Sequence, residues 1–166
     1  MQKINIAILS YRSAPFGGGQ GIYVHDISKA LSLMGHQVDV ISGPPYPNLS
    51  EKINLIKLPG LNLFQTFSFK ERLKIFIKKK NKRAIDFYEF FSTFFGGFPE
   101  MRTFGERAKE FLDQNHHYDI VIDNQSVSYG MLKIQKKFPL LEIIHHPITK
   151  DYKFELQSNN GFMYRL

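Results

Sequence analysis

Residues 10–43, SYRSAPFGGGQGIYVHDISKALSLMGHQVDVISG, decide how the rest of the chain is understood. Four of the five residues 17–21 are glycine. Upstream, KINIAILSY (3–11) is nearly continuously apolar, as strands covered on both faces are. Downstream, Ile22, Ile27, Ala30, Leu31 and Met34 recur at helical spacing and predict a helix over 19–34, with Gly35 as its stop. HQVDVISG (36–43) then predicts a second strand. Glycine loses more backbone freedom on folding than any other residue, so a cluster at a strand-to-helix turn points to a need for bare backbone. The first N–H groups of a helix lack partners and carry partial positive charge, which suits an anion such as phosphate.

The remainder of the chain repeats the alternation. Pro44, Pro45 and Pro47 make a rigid loop, and KINLIKLP (52–59) alternates like a third strand. Residues 68–95 predict one or two helices and 100–114 another. YDIVIDNQ (118–125) predicts a strand, 127–137 a helix, and LLEIIHHP (140–147) a last strand. Such alternation is an α/β fold, a Rossmann-like doubly wound parallel sheet, here a single domain over 1–166. Ligands of such sheets bind at the C-terminal strand ends. The loops 12–20, 43–48, 123–128 and 145–150 converge there. They bring together the glycines, Asp123-Asn124-Gln125 and His145-His146.

Several nucleotide motifs are excluded by position. The dinucleotide fingerprint started at Gly17 requires Gly at 22, where Ile22 stands, and the second strand ends in ISGPP without an acid. No G-x-x-x-x-G-K-[ST] run is present. There is no cysteine, which removes disulfides, thiol catalysis and Cys-ligated zinc. His145 and His146 are adjacent in a strand and point to opposite faces, so a shared metal is not expected. His116 and His117 stand at the opposite end of the sheet, His36 at a strand start and His25 on a helix face. Asp26 is expected on the solvated surface. Asp123, Asn124 and Gln125 suit either acceptor hydroxyls or the cap of the following helix, for which Ser126 is also placed.

The ordered set of elements resembles the N-terminal domain of GT-B glycosyltransferases of family 4. The residues that carry it are Gly18-Gly19, Ser28-Lys29-Ala30-Leu31, Gly35-His36-Gln37-Val38-Asp39-Val40, then YDIVIDNQ and LLEIIHHP. The resemblance covers most of 1–58 and 118–151. It implies the acceptor-side lobe of a retaining enzyme that moves a sugar from a nucleotide-sugar donor to a cell-envelope lipid or polysaccharide, with no cofactor and no metal. Gly18, Gly19 and Gln20 would face the donor phosphates. His145, with His146 as second choice, would lie near the transferred sugar, and Asn124 and Gln125 near the acceptor. The N–H donors of the loop would stabilise charge developing on the leaving diphosphate. The E-x7-E motif of the family's nucleotide-sugar-binding lobe does not occur. That leaves open a non-catalytic binding module, or a subunit completed by a separate C-terminal chain. A Rossmann-type nucleotide enzyme is a further alternative.

The net charge of +7 is local. KERLKIFIKKKNKR (70–83) holds eight basic residues and one acid, and the rest of the chain is balanced. The segment 85–98, IDFYEFFSTFFGGF, follows with seven aromatics, of which Phe87, Phe91, Phe94, Phe95 and Phe98 are expected on one helical face. Lys74, Lys78, Lys79, Lys80, Lys82 and Arg83 beside them suit an anionic membrane surface. The competing reading packs the aromatics on the sheet or the cleft and leaves the lysines as a solvated back. No nucleic-acid motif accompanies the patch. The expected location is cytoplasmic, peripheral on the inner membrane face, since the N-terminal apolar run is too short for a signal peptide and no run spans a bilayer.

Overall fold

The computed structural model describes residues 2–14, 19–63, 66, 68–95 and 98–145. Five strands form one parallel sheet in the order β3-β2-β1-β4-β5. They are β1 (Asn5–Ser10), β2 (Gln37–Ser42), β3 (Asn54–Lys57), β4 (Ile120–Asn124) and β5 (Leu140–Ile143). The helices are α1 (Gly19–Leu33), α2 (Phe69–Lys78), α3 (Ala84–Ser92), α4 (Pro99–Leu112) and α5 (Tyr129–Ile134). The strand order reverses direction between β1 and β4, which is where open α/β sheets hold their ligands.

Strand alternation sorts side chains between the two faces. Ile6, Ile8, Val38, Val40 and Ile122 face α1 and pack on Val24. Ala7, Leu9, Ile41 and Val121 face the other way, onto Phe104, Ala108 and Leu112 of α4 and Met131 and Ile134 of α5. Both faces are covered, which is why β1 has no solvated side beyond its first residue.

The helix ends follow local chemistry. Gly35 takes φ +93°, and the bonds Gly35 N–H to Ser32 C=O and His36 N–H to Leu31 C=O close α1 in a Schellman motif. Pro99 opens α4 in the first turn, where its missing N–H costs nothing. Gly105 and Gly130 let α4 and α5 touch: a Cβ on Gly130 would stand 2.4 Å from the Gly105 carbonyl carbon.

Three expectations change. The buried face of α1 is Gly21, Val24 and Ser28 with Ile27 and Leu31 beside it, whereas Ile22, Ala30 and Met34 are exposed. The apolar spacing merged two sides of the helix; what selects the inner side is the close seat of Gly21 on the loop after β1. The helix expected over 127–137 is shorter, because Gln125 and Val127 take positive φ of 60° and 40° and postpone its start to Tyr129. The aromatic face also divides. Phe90 is the buried one, with Phe94 packed near it, while Phe87, Phe91 and Phe95 are exposed and Phe98 caps α4.

Candidate functional site

Ser10 ends β1 fully buried, and its hydroxyl shares a 2.5 Å hydrogen bond with the Ser13 hydroxyl. Ser13 N–H donates to Pro45 C=O at 2.8 Å, tying the loop after β1 to the loop after β2. On the other side of Ser10, Asn124 Nδ2 donates to its Oγ at 3.4 Å. Asn124 Oδ1 lies 2.6 Å from His145 Nε2. An amide oxygen can only accept, so Nε2 carries the proton. The His145 backbone N–H donates to Gln125 Oε1 at 3.1 Å. One line of hydrogen bonds thus runs from Pro45 through Ser13, Ser10 and Asn124 to His145, across the ends of four strands.

Each link has a local cause. β4 buries Asn124, and the positive φ of Gln125 turns the chain so that both amides reach the His145 segment. Tyr23 of α1 meets the His145 ring edge-on with centroids 4.8 Å apart. Asp123 points to the opposite face, where its carboxylate accepts from Ser126 N–H, Val127 N–H and the Ser126 hydroxyl at 2.7 to 3.0 Å. The turn that was open between Asp123, Asn124 and Gln125 is therefore capped by Asp123. Asn124 and Gln125 each hydrogen-bond to His145.

The glycines differ in what holds them. A Cβ on Gly21 would come 2.3 Å from the Ala14 carbonyl oxygen, so protein packing alone demands glycine there. A Cβ on Gly19 would meet nothing within 4 Å among the described residues. Gly19 and Gln20 begin α1, with Gly19 exposed. Gly18 and His146 lie outside the described residues.

A second polar feature lies on the α4–α5 side. Glu142 of β5 stands opposite Asp123 in register. Burial, a hydrogen bond to Asp123 and the charge of that carboxylate push the Glu142 carboxyl up to about 8. Its Oε2 is buried and unpartnered among the described residues. Glu142 lines a groove of about 650 Å³ together with Phe98, Met101, Tyr129, Leu132 and Leu140. Sequence reasoning passed over Glu142, Ser10, Ser13 and Tyr23. The available signals were a carboxylate inside the apolar run LLEII and two serines flanking the end of β1.

The basic patch divides as well. Lys79 and Arg107 both pair with the buried Asp86, Arg107 also with Glu89, and Arg83 with Glu110. Lys82 donates to the Ile77 and Lys79 carbonyls at the end of α2. Among the described residues, no helix is long and apolar enough to cross a membrane.

Comparison with known proteins agrees with the fold. The family model described as Glycosyltransferase Family 4 matches residues 17–166. The chain is also similar to the MMP α-(1→4)-mannosyltransferase of Mycolicibacterium hassiacum, with 41% identity over 158 residues. That match covers 93% of this chain and 38% of the relative, so the chain spans well under half of the relative's length.

Proposed function

The chain belongs to glycosyltransferase family 4, and from that premise we propose that it supplies the acceptor-side lobe of a sugar-transferring enzyme. A nucleotide sugar is the donor, and a cell-envelope lipid or polysaccharide is the acceptor. A nucleotide-sugar-binding lobe completes the site, carried by the same polypeptide or by a separate one. The relative's name specifies mannosyl transfer, which makes mannose the first donor sugar to test.

The observation that carries this reading is the contrast between Gly19 and Gly21. Among the described residues nothing would meet a side chain at Gly19, and it opens α1 beside the switch point of the sheet. Bare backbone there serves a group outside the fold, and a helix N-terminus favours an anion. In the transfer, the bond from the anomeric carbon to the diphosphate breaks, the acceptor oxygen bonds to that carbon, and the acceptor hydroxyl's proton passes to the departing diphosphate. Negative charge grows on the departing diphosphate, and the N–H groups of residues 18–20 stabilise it. With Nε2–H given to Asn124, the His145 ring keeps Nδ1 as an acceptor for a sugar hydroxyl. Asn124 holds that ring in place, and Gln125 holds the His145 backbone. Retention at the anomeric centre, and transfer without a metal or cofactor, belong to the same proposal.

The test uses the intact enzyme with nucleotide sugars of mannose, glucose and other hexoses. Product anomers are assigned by NMR. Gly19→Val and His145→Ala should each lower kcat/KM by about a hundredfold or more, the scale of losing one charge-stabilising donor, with thermal stability unchanged. Full activity in both variants would remove the site from this part of the molecule.

A further inference from the structure

The α2–α3 hairpin stands apart from the transfer chemistry and has an unusual surface. Its inner side is a small aromatic core: Phe90 packs on Leu61 and Leu63, with Leu73, Phe76 and Phe94 around it. The outer side is equally apolar but open. Phe91 is 54% exposed, Phe95 80% and Ile77 63%, with Phe69 and Phe87 also exposed. Phe87, Phe91 and Phe95 repeat every four residues, so they form one stripe along α3 and the turn that follows it. Lys70, Lys74 and Lys78 repeat in the same way along α2. They and Lys80 are exposed and have no carboxylate partner among the described residues.

We propose that this hairpin is a docking surface for an anionic lipid bilayer. Exposed aromatic stripes of this size are uncommon on surfaces that meet only water. Aromatic side chains set beside unpaired lysines match the boundary of a bilayer, where rings enter the acyl edge and ammonium groups meet anionic headgroups. A second copy of the chain fits less well, because two such faces would oppose unpaired lysines with unpaired lysines. A nucleic acid would use the lysines but leave the α3 stripe without a role. The structure also sorts the cations: Lys79, Lys82, Arg83 and Arg107 hold the hairpin together, and Lys70, Lys74, Lys78 and Lys80 face outward. This inference does not depend on the transferred sugar or on the site around His145.

The chain has no tryptophan, so a single Phe91→Trp or Phe95→Trp replacement in the full chain reports on this surface alone. Emission should move to the blue on vesicles with about a third phosphatidylglycerol and stay unchanged on phosphatidylcholine vesicles. Changing Lys70, Lys74, Lys78 and Lys80 to glutamine should lower the partition coefficient about fivefold per lysine, and added salt should weaken binding likewise. Phe91→Ser with Phe95→Ser should also weaken it. Unshifted emission on the anionic vesicles overturns the proposal. So does emission already blue without lipid, which would mean that protein covers the stripe. A dimer in sedimentation that Phe91→Ser dissolves would assign the face to a second copy. Oligonucleotide binding that survives the serine changes, with no vesicle binding, would assign it to nucleic acid.

Discussion

Glu142 shows how one residue records its surroundings. Its carboxyl sits beside Asp123 on the next strand, and burial and that neighbour hold it protonated up to about pH 8. A folded-state value above the unfolded one means the native state binds the extra proton. The stabilising contribution is whole below the ordinary carboxylate range and is lost as pH rises toward 8. The melting temperature of the wild type is therefore expected to fall between pH 6 and pH 9. Glu142→Gln, which keeps a neutral side chain at every pH, should flatten that slope and raise stability at pH 9. A Glu142→Gln profile parallel to wild type would show that the Asp123 pairing does not control it. Gly21 and Gly19 make the same point: two residues apart in a glycine run, Gly21 is required by a carbonyl at 2.3 Å and Gly19 by nothing among the described residues.

At the scale of elements, α2 and α3 are attached to the body largely through charge. Arg107 of α4 is buried and binds Asp86 and Glu89 of α3 at 2.8 and 2.6 Å. Glu89 also accepts the Leu61 N–H at 2.8 Å, fixing the segment after β3. Burial would raise Asp86, but Lys79, the Arg83 N–H and Arg107 outweigh it and hold the carboxyl below its usual range. Removing one partner strands the others, and a broken buried pair costs more than the pair was worth. Arg107→Ala is expected to lower stability by about 3 to 5 kcal/mol, measured by urea unfolding. A loss under about 1 kcal/mol, the scale of exposed ion pairs, would mean that water reaches the cluster. The signal was present in sequence as Asp86 and Glu89, three apart in an aromatic run. Their partner Arg107 is 18 and 21 residues away, beyond any local pattern.

For the whole molecule, stability should be uneven. β1 is flanked by β2 and β4 and covered on both faces, whereas the α2–α3 hairpin rests on three buried apolar residues and one ionic cluster. Native-state hydrogen exchange is expected to be slowest at Ile6–Leu9 and Val121–Ile122, and faster throughout α2 and α3. Equal protection of the hairpin and the central strands would make them one cooperative unit. The rigid sheet holds the Asn124–His145 bond, while the hairpin is free to respond to what lies against it.

Period, punctuation and charge are local properties, and they determined the parallel sheet and the element order. Apolar runs in strands, Gly35 as a helix stop and eight cations in fourteen residues need no knowledge of the rest of the chain. Which side of α1 is buried, which phenylalanines stay outside and which lysines are spent in ion pairs depend on contacts between distant segments. The same holds for Asn124, whose hydrogen-bond partners Ser10 and His145 are distant in sequence. The parallel register sets Asp123 beside Glu142 and Asn124 beside Ile143, two residues before His145. Alternation along β4 then sends one side chain to each face of the sheet, and only the folded sheet says which face holds the histidine.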